Sequence, residues 1–154
     1  MRAKSGFTLV EILIVVVILG ILAAIVIPQF TDASTEAKTS SLCSDLQTFR
    51  SQIELYKIQH TDALPSAASV GLVSAMTAQT DADGDAYVSG TSTTGPFGPY
   101  LQKIPKNAFN GSQGINTGTS DPNSVIDTDG TYGWYFNTTT GAFNAIDSTE
   151  HAQL

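Results

Sequence analysis

From Phe7 to Ile27 the chain is apolar almost without interruption, and one carboxylate, Glu11, sits inside that run. As a helix, 21 residues rise about 30 Å, the thickness of a bilayer's hydrocarbon core. The run therefore predicts one membrane span. Arg2 and Lys4 precede it and no acid does. Positive charge at that end favours a cytoplasmic N-terminus, which puts the remaining chain on the far side of the membrane.

Three readings compete for this segment. A secretory signal peptide fits the basic start, but the run exceeds an ordinary apolar region and no small-x-small cleavage site follows it. A plain anchor fits the length. The third reading is a signal cut before the apolar run, so that the anchor stays on the product. Glu11 separates them. A charge at the centre of a span costs about 2.5–3.5 kcal/mol on insertion scales. Neither a plain anchor nor a signal peptide gains from it, although a lone Glu near the interface of an ordinary anchor remains the competing explanation. A cut between Gly6 and Phe7 would create an amine only a few residues from Glu11. The amine of one subunit could then pair with Glu11 of a neighbour and reward one axial register.

Gly6-Phe7-Thr8-Leu9-Val10-Glu11 resembles the type III signal of type IV pilins and of type II secretion pseudopilins. The resemblance implies cleavage after Gly6 by a prepilin peptidase, N-methylation of Phe7 and a fibre-assembly role for Glu11. Losing six of 154 residues leaves 148, and losing Arg2 and Lys4 takes the formal charge from −7 to −9. Further along, Gly98-Pro99-Tyr100-Leu101 through Ile104-Pro105 is similar to the GPYL…IP segment of major, G-type pseudopilins. Gly133-Trp134-Tyr135-Phe136-Asn137 with Gly141-Ala142-Phe143 resembles that family's closing hairpin.

Beyond the anchor, Leu42, Leu46, Phe49, Ile53 and Tyr56 recur at helical spacing and mark one buried stripe. One helix is predicted from about Phe7 to His60, kinked at Pro28, which lacks an N–H and clashes with the preceding turn. A short second helix is predicted over Ser69–Met76, with Leu72, Val73 and Met76 inward. Residues 80–99 are almost all turn formers. The aromatic Tyr132–Asn137 segment and Ala142–Ile146, joined by Thr138-Thr139-Thr140-Gly141, read as a β-hairpin. A third strand is expected somewhere in Ile115–Ile126. Cys43 belongs on the shoulder of the stripe, and His60 and His151 at the surface near element ends.

The predicted fold class is α+β: a long N-terminal helix packed on a small antiparallel β-sheet head, as in pilins. The expected divisions are a leader at 1–6, a transmembrane and fibre-core helix at 7–28, and a periplasmic domain at 29–154.

Composition excludes several functions. The acidic chain has no Lys/Arg cluster in its body, which argues against nucleic-acid binding. One cysteine permits no internal disulfide. No nucleophile elbow or phosphate-binding Gly loop is present, so no enzyme is predicted. Asp81-x-Asp83-Gly84-Asp85 fails as an EF-hand, with Gly misplaced and Ser92 where Glu belongs. The family resemblance implies a structural calcium in a C-terminal loop, for which Asp121, Asp127 and Asp129 are the best local match. A solvated turn is the favoured reading of those residues, because Asp is a common turn former. No other cofactor is expected.

The resemblance thus points to a structural subunit of a type II secretion pseudopilus. Its partners would be copies of itself, prepilin peptidase, an inner-membrane assembly platform and minor pseudopilins. It would be held in a bacterial inner membrane with its head in the periplasm. A type IV pilin for adhesion, motility or DNA uptake is the alternative. Such subunits often close the C-terminal region with a disulfide, which one cysteine excludes. A membrane-tethered binding module is the reading from another class, with loop 80–97 as its site.

Overall fold

The computed structural model describes residues 6–67 and 70–154. Leader residues 1–5 and the expected helix start at Ser69 lie outside them.

Helix α1 spans Leu9–Gln59 and continues through Pro28 without a break, although the proline ring supplies no N–H to the carbonyl four residues back. Residues up to Lys38 and Thr39–Leu154 form two units. In the first, every large apolar side chain from Phe7 to Phe30 is at least half exposed. The helix is long and apolar enough there to cross a membrane. In the second, the predicted stripe of Leu42, Leu46, Phe49, Ile53 and Tyr56 is buried. The hydroxyls of Ser44, Thr48 and Ser51, off that stripe, donate to carbonyls one turn back. Cys43 is half-buried on the stripe's shoulder, as expected.

The stripe packs on the head. Strands β1 (Ile115–Gly118), β2 (Trp134–Asn137) and β3 (Phe143–Ala145) form one sheet in that order. β2 and β3 make the predicted antiparallel hairpin, with Phe136 opposite Phe143. The expectation of an all-antiparallel sheet needs correcting: β1 pairs with β2 in parallel, Ile115 beside Trp134. The physical reason is the connection. Residues 119–133 form a crossover long enough to return the chain to the starting end, which a parallel pair requires. The Asp121-Pro122-Asn123 sequence lies near the start of that crossover.

Trp134 and Phe136 face α1 and belong to the core, while Tyr135 between them faces the other way. All are buried because the crossover covers the far face. Tyr135 Oη and Asn137 Nδ2 both donate to the Ser120 carbonyl. The approach is close at Gly133, where a Cβ would stand 2.6 Å from the Ser112 carbonyl oxygen. At the centre of the head, Phe49 stacks on Phe143 with centroids 3.8 Å apart, and Trp134 lies 5.4 Å from Phe143. Trp134 Nε1 donates to the Pro105 carbonyl, so the 98–107 segment is tied to the same core.

Helix α2 spans Leu72–Thr77 and buries Leu72, Ala75 and Met76. Val73, expected inward, is exposed, because it lies about 100° round the helix from Leu72. The histidines also differ from expectation. His60 is 1% exposed. Its ring stacks on Tyr56, its Nδ1 lies 2.9 Å from the Tyr56 carbonyl, and its Nε2 lies 2.9 Å from Thr80 Oγ1. It fastens the turn-rich 80–97 loop to the end of α1. Thr80 also exchanges both backbone hydrogen bonds with Phe97, closing that loop at its base. His151 is largely buried as well, with Nδ1 2.6 Å from Asp147 Oδ2.

Two predictions follow from this core. Phe49→Ala removes the ring stacked on Phe143 and should destabilise the head by about 3–5 kcal/mol, read from chemical unfolding of the full chain in micelles. The second concerns alkaline pH. Tyr100 donates to Gln59 Oε1 at 2.6 Å, and burial pushes its hydroxyl from 10.0 up to about 12. A raised folded-state value means this contribution is complete below about pH 10 and lost as the pH rises through about 12. The wild-type unfolding midpoint should fall across that window, and Tyr100→Phe should flatten the fall.

Candidate assembly site

The helix begins at Leu9, which makes Thr8 its N-cap and Glu11 its third residue. Thr8 and Glu11 close on each other. The Glu11 N–H donates to Thr8 Oγ1 at 3.3 Å. Glu11 Oε2 accepts from the Thr8 N–H and from the Thr8 hydroxyl, each at 2.9 Å. This is a capping box: the side chains at both ends of the first turn satisfy backbone donors that the helix itself leaves unpaired. The carboxylate also lies at the positive end of the helix dipole.

Glu11 stands out in the sequence as a charge in an apolar run, whereas the role of Thr8 emerges only with the helix start. The signal was present, since Thr-x-x-Glu before an apolar run is a helix-start pattern. The geometry changes what Glu11 is in a lone subunit. It is not a bare charge in an apolar run but a group holding two hydrogen bonds from its own chain. One oxygen, Oε2, carries both, and among the described residues no hydrogen bond goes to Oε1.

Gly6 lies just outside the helix, and a Cβ placed there would meet nothing within 4 Å. Neither crowding nor backbone conformation within the described chain requires glycine at that position. Phe7 is 82% exposed. The two residues flanking the expected cleavage point are therefore sterically open.

The candidate calcium ligands do not form a cation cage. Asp121 Oδ1 accepts from the Asn123 N–H and starts the short Pro122–Ser124 turn. Asp127 accepts from the backbone N–H groups of Asp129 and Tyr132. Asp129 accepts from the Thr131 N–H, and its hydrogen bonds with Thr131 hold its carboxyl below the usual value. These oxygens are directed at local backbone donors. Among the described residues, no group of three His, Cys, Asp or Glu side chains is placed to hold a metal ion. The arrangement is that of successive Asx turns.

Residues 1–27 match the family described as the prokaryotic N-terminal methylation motif. The type II secretion system core protein G of Pseudomonas aeruginosa is 44% identical over 59 residues, 38% of this chain and 42% of that protein. The core protein G of Klebsiella pneumoniae is 30% identical over 110 residues, 71% of each chain. The chain belongs to the type II secretion system core protein G family. A fimbrial protein of Pseudomonas aeruginosa is 37% identical over 67 residues, 44% of each chain. The chain spans about two fifths of the length of the first core protein G named here. No solved structure matches.

In this core protein G relative, the cap predicts a measurable effect of Thr8. Thr8→Ala should weaken the first helical turn by about 1 kcal/mol. Amide hydrogen exchange at residues 9–12 in micelles should accelerate about fivefold, while exchange in the 42–56 stripe stays unchanged.

Proposed function

We propose that the chain is a structural subunit of a type II secretion pseudopilus that works by assembly and not by catalysis. The observation that carries this reading is the 110-residue similarity to a core protein G, against 67 residues for the fimbrial protein. A type IV pilin remains the alternative that the fimbrial similarity favours.

In this reading residues 1–6 are a leader, 7–28 a transmembrane and then fibre-core helix, and 29–154 a periplasmic head. Prepilin peptidase cuts after Gly6, and Phe7 becomes the methylated N-terminus. The open space around Gly6 supports a glycine selected by the peptidase and not by the subunit's own packing. Subunits wait in the inner membrane with heads in the periplasm and stack their apolar helices into a fibre core. The exposed large apolar side chains from Phe7 to Phe30 find lipid first and neighbouring helices afterwards. Pro28 is where the helix accommodates the change in surroundings. An assembly platform and minor pseudopilins are the further partners.

Glu11 fixes the axial register. Its Oε1 accepts from the amine of Phe7 on a neighbouring copy, while Thr8 holds Oε2. The acidic balance and absence of a basic cluster speak against nucleic acid as a partner.

The test follows processing and assembly separately in a secreting host. Wild-type chain should lose residues 1–6 and gain one methyl group at Phe7, read by intact mass. Gly6→Glu should remain uncut. Glu11→Ala should be cut and membrane-held but form no fibres. Fibres of normal yield from Glu11→Ala would sink the register mechanism, and cleavage after the apolar run would sink the whole reading.

A further inference from the structure

Asn110-Gly111 is the one place in the chain where an asparagine precedes a glycine. That pair carries a chemistry of its own. The glycine nitrogen can attack the asparagine side-chain carbonyl, and with no Cβ a glycine shields its nitrogen least. The N–Cγ bond closes a cyclic imide as the Cγ–Nδ2 bond breaks. Nδ2 leaves as ammonia with the proton from the Gly111 nitrogen. Water then opens the ring at either carbonyl and leaves aspartate or isoaspartate at position 110. The balance is side-chain amide plus water to carboxyl plus ammonia, with nothing oxidised or reduced.

The folded head occupies both reacting groups. The Gly111 N–H donates to the Asn107 carbonyl at 2.8 Å. Asn110 Oδ1 accepts from the Ser112 N–H, and Nδ2 donates to the Tyr132 carbonyl, each at 2.9 Å. The turn is closed again by the Asn107 N–H on the Ser112 carbonyl at 2.9 Å, and Ser112 Oγ donates to the Thr131 carbonyl at 2.7 Å. Attack requires the Gly111 nitrogen to release Asn107 and the Asn110 side chain to swing away from Tyr132. Water is at hand, since Gly111 is exposed and Asn110 is half-buried. Space is at hand too, since a Cβ on Gly111 would meet nothing within 4 Å. Hydrogen bonding, and not burial, holds the reaction off.

We propose that Asn110-Gly111 is a site of spontaneous deamidation that the folded head holds shut and that opening of the 107–112 turn exposes. The product does not close as the parent did. A carboxylate at position 110 still accepts from Ser112, but it has no N–H for the Tyr132 carbonyl, so oxygen faces oxygen there. Isoaspartate also lengthens the backbone by one methylene. The turn loses its tie to the residues that lead into β2, and an opening that lasts long enough is recorded and not reversed. The site's chemistry is independent of how the subunit assembles.

The experiment incubates the full chain at mildly alkaline pH, folded in micelles and unfolded in guanidinium, and follows the peptide containing residue 110 by mass. The unfolded chain should gain the mass of amide-to-acid conversion at Asn110 ahead of every other asparagine, and Asn110→Gln should abolish that gain. The folded chain should convert about tenfold more slowly or less, because reaction waits for local opening. Its rate should rise in low guanidinium in step with amide exchange at Gly111. Asn110→Asp, which stands in for the product, should speed amide exchange across residues 107–114 about fivefold, the effect of losing one hydrogen bond, and leave the 42–56 stripe unchanged. Equal conversion rates in folded and unfolded chain overturn the inference, because the turn would then protect nothing. Conversion first at another asparagine overturns the site. Unchanged exchange in Asn110→Asp overturns the claim that the product fails to close.

Discussion

The head depends on one joint, where Phe49 of α1 lies flat on Phe143 of β3 with Trp134 beside them. A three-stranded sheet of four-, four- and three-residue strands has too little area to be stable alone. The amphipathic part of the helix has a stripe it must cover. Each supplies what the other lacks, and the aromatic residues do so with few side chains because each buries a large area. The remaining parts of the head are fastened to this joint. Trp134 holds Pro105 and with it the 98–107 segment, Tyr135 and Asn137 hold the crossover at Ser120, and His60 holds the base of the 80–97 loop through Thr80.

The first part of α1 follows a different logic. It is apolar all round and its described side chains are exposed, a surface suited to lipid or to other helices. In that setting a carboxylate is tolerated where the helix start gives it hydrogen bonds and a favourable dipole, which is where Glu11 sits. The cap gives the Glu11 carboxylate two hydrogen bonds through Oε2 alone. Thr8 is therefore part of the same device as Glu11.

Much of this was legible in the sequence because it depends on local periodicity. The stripe from Leu42 to Tyr56 is read directly from the 3.6-residue repeat, and the β2–β3 hairpin from two aromatic-rich runs around a short Gly-containing loop. The misreadings have non-local causes. Val73 looked like core because it is apolar, but a helix of six residues buries only the side its neighbours reach. His60 looked like a surface residue because it ends a helix. It is buried because Thr80, Phe97 and Tyr100, distant in sequence, close around it. The parallel pairing of β1 was hidden because strand direction depends on where a crossover ends, and turn residues alone do not state that.

The aspartates show the same boundary. Asp127 and Asp129 are spaced as a cation loop or as successive turns, and spacing cannot separate the two. The structure directs their oxygens to backbone N–H groups of Asp129, Tyr132 and Thr131. By itself, then, the sequence determined the membrane-length helix, the stripe that must be covered and the outlying Glu11, since each follows from residues close together in the chain. Tertiary structure alone decided the mixed sheet, the buried His60 and the turn-bound aspartates. Each of these depends on which distant segments pack side by side, and local pattern carries no record of that.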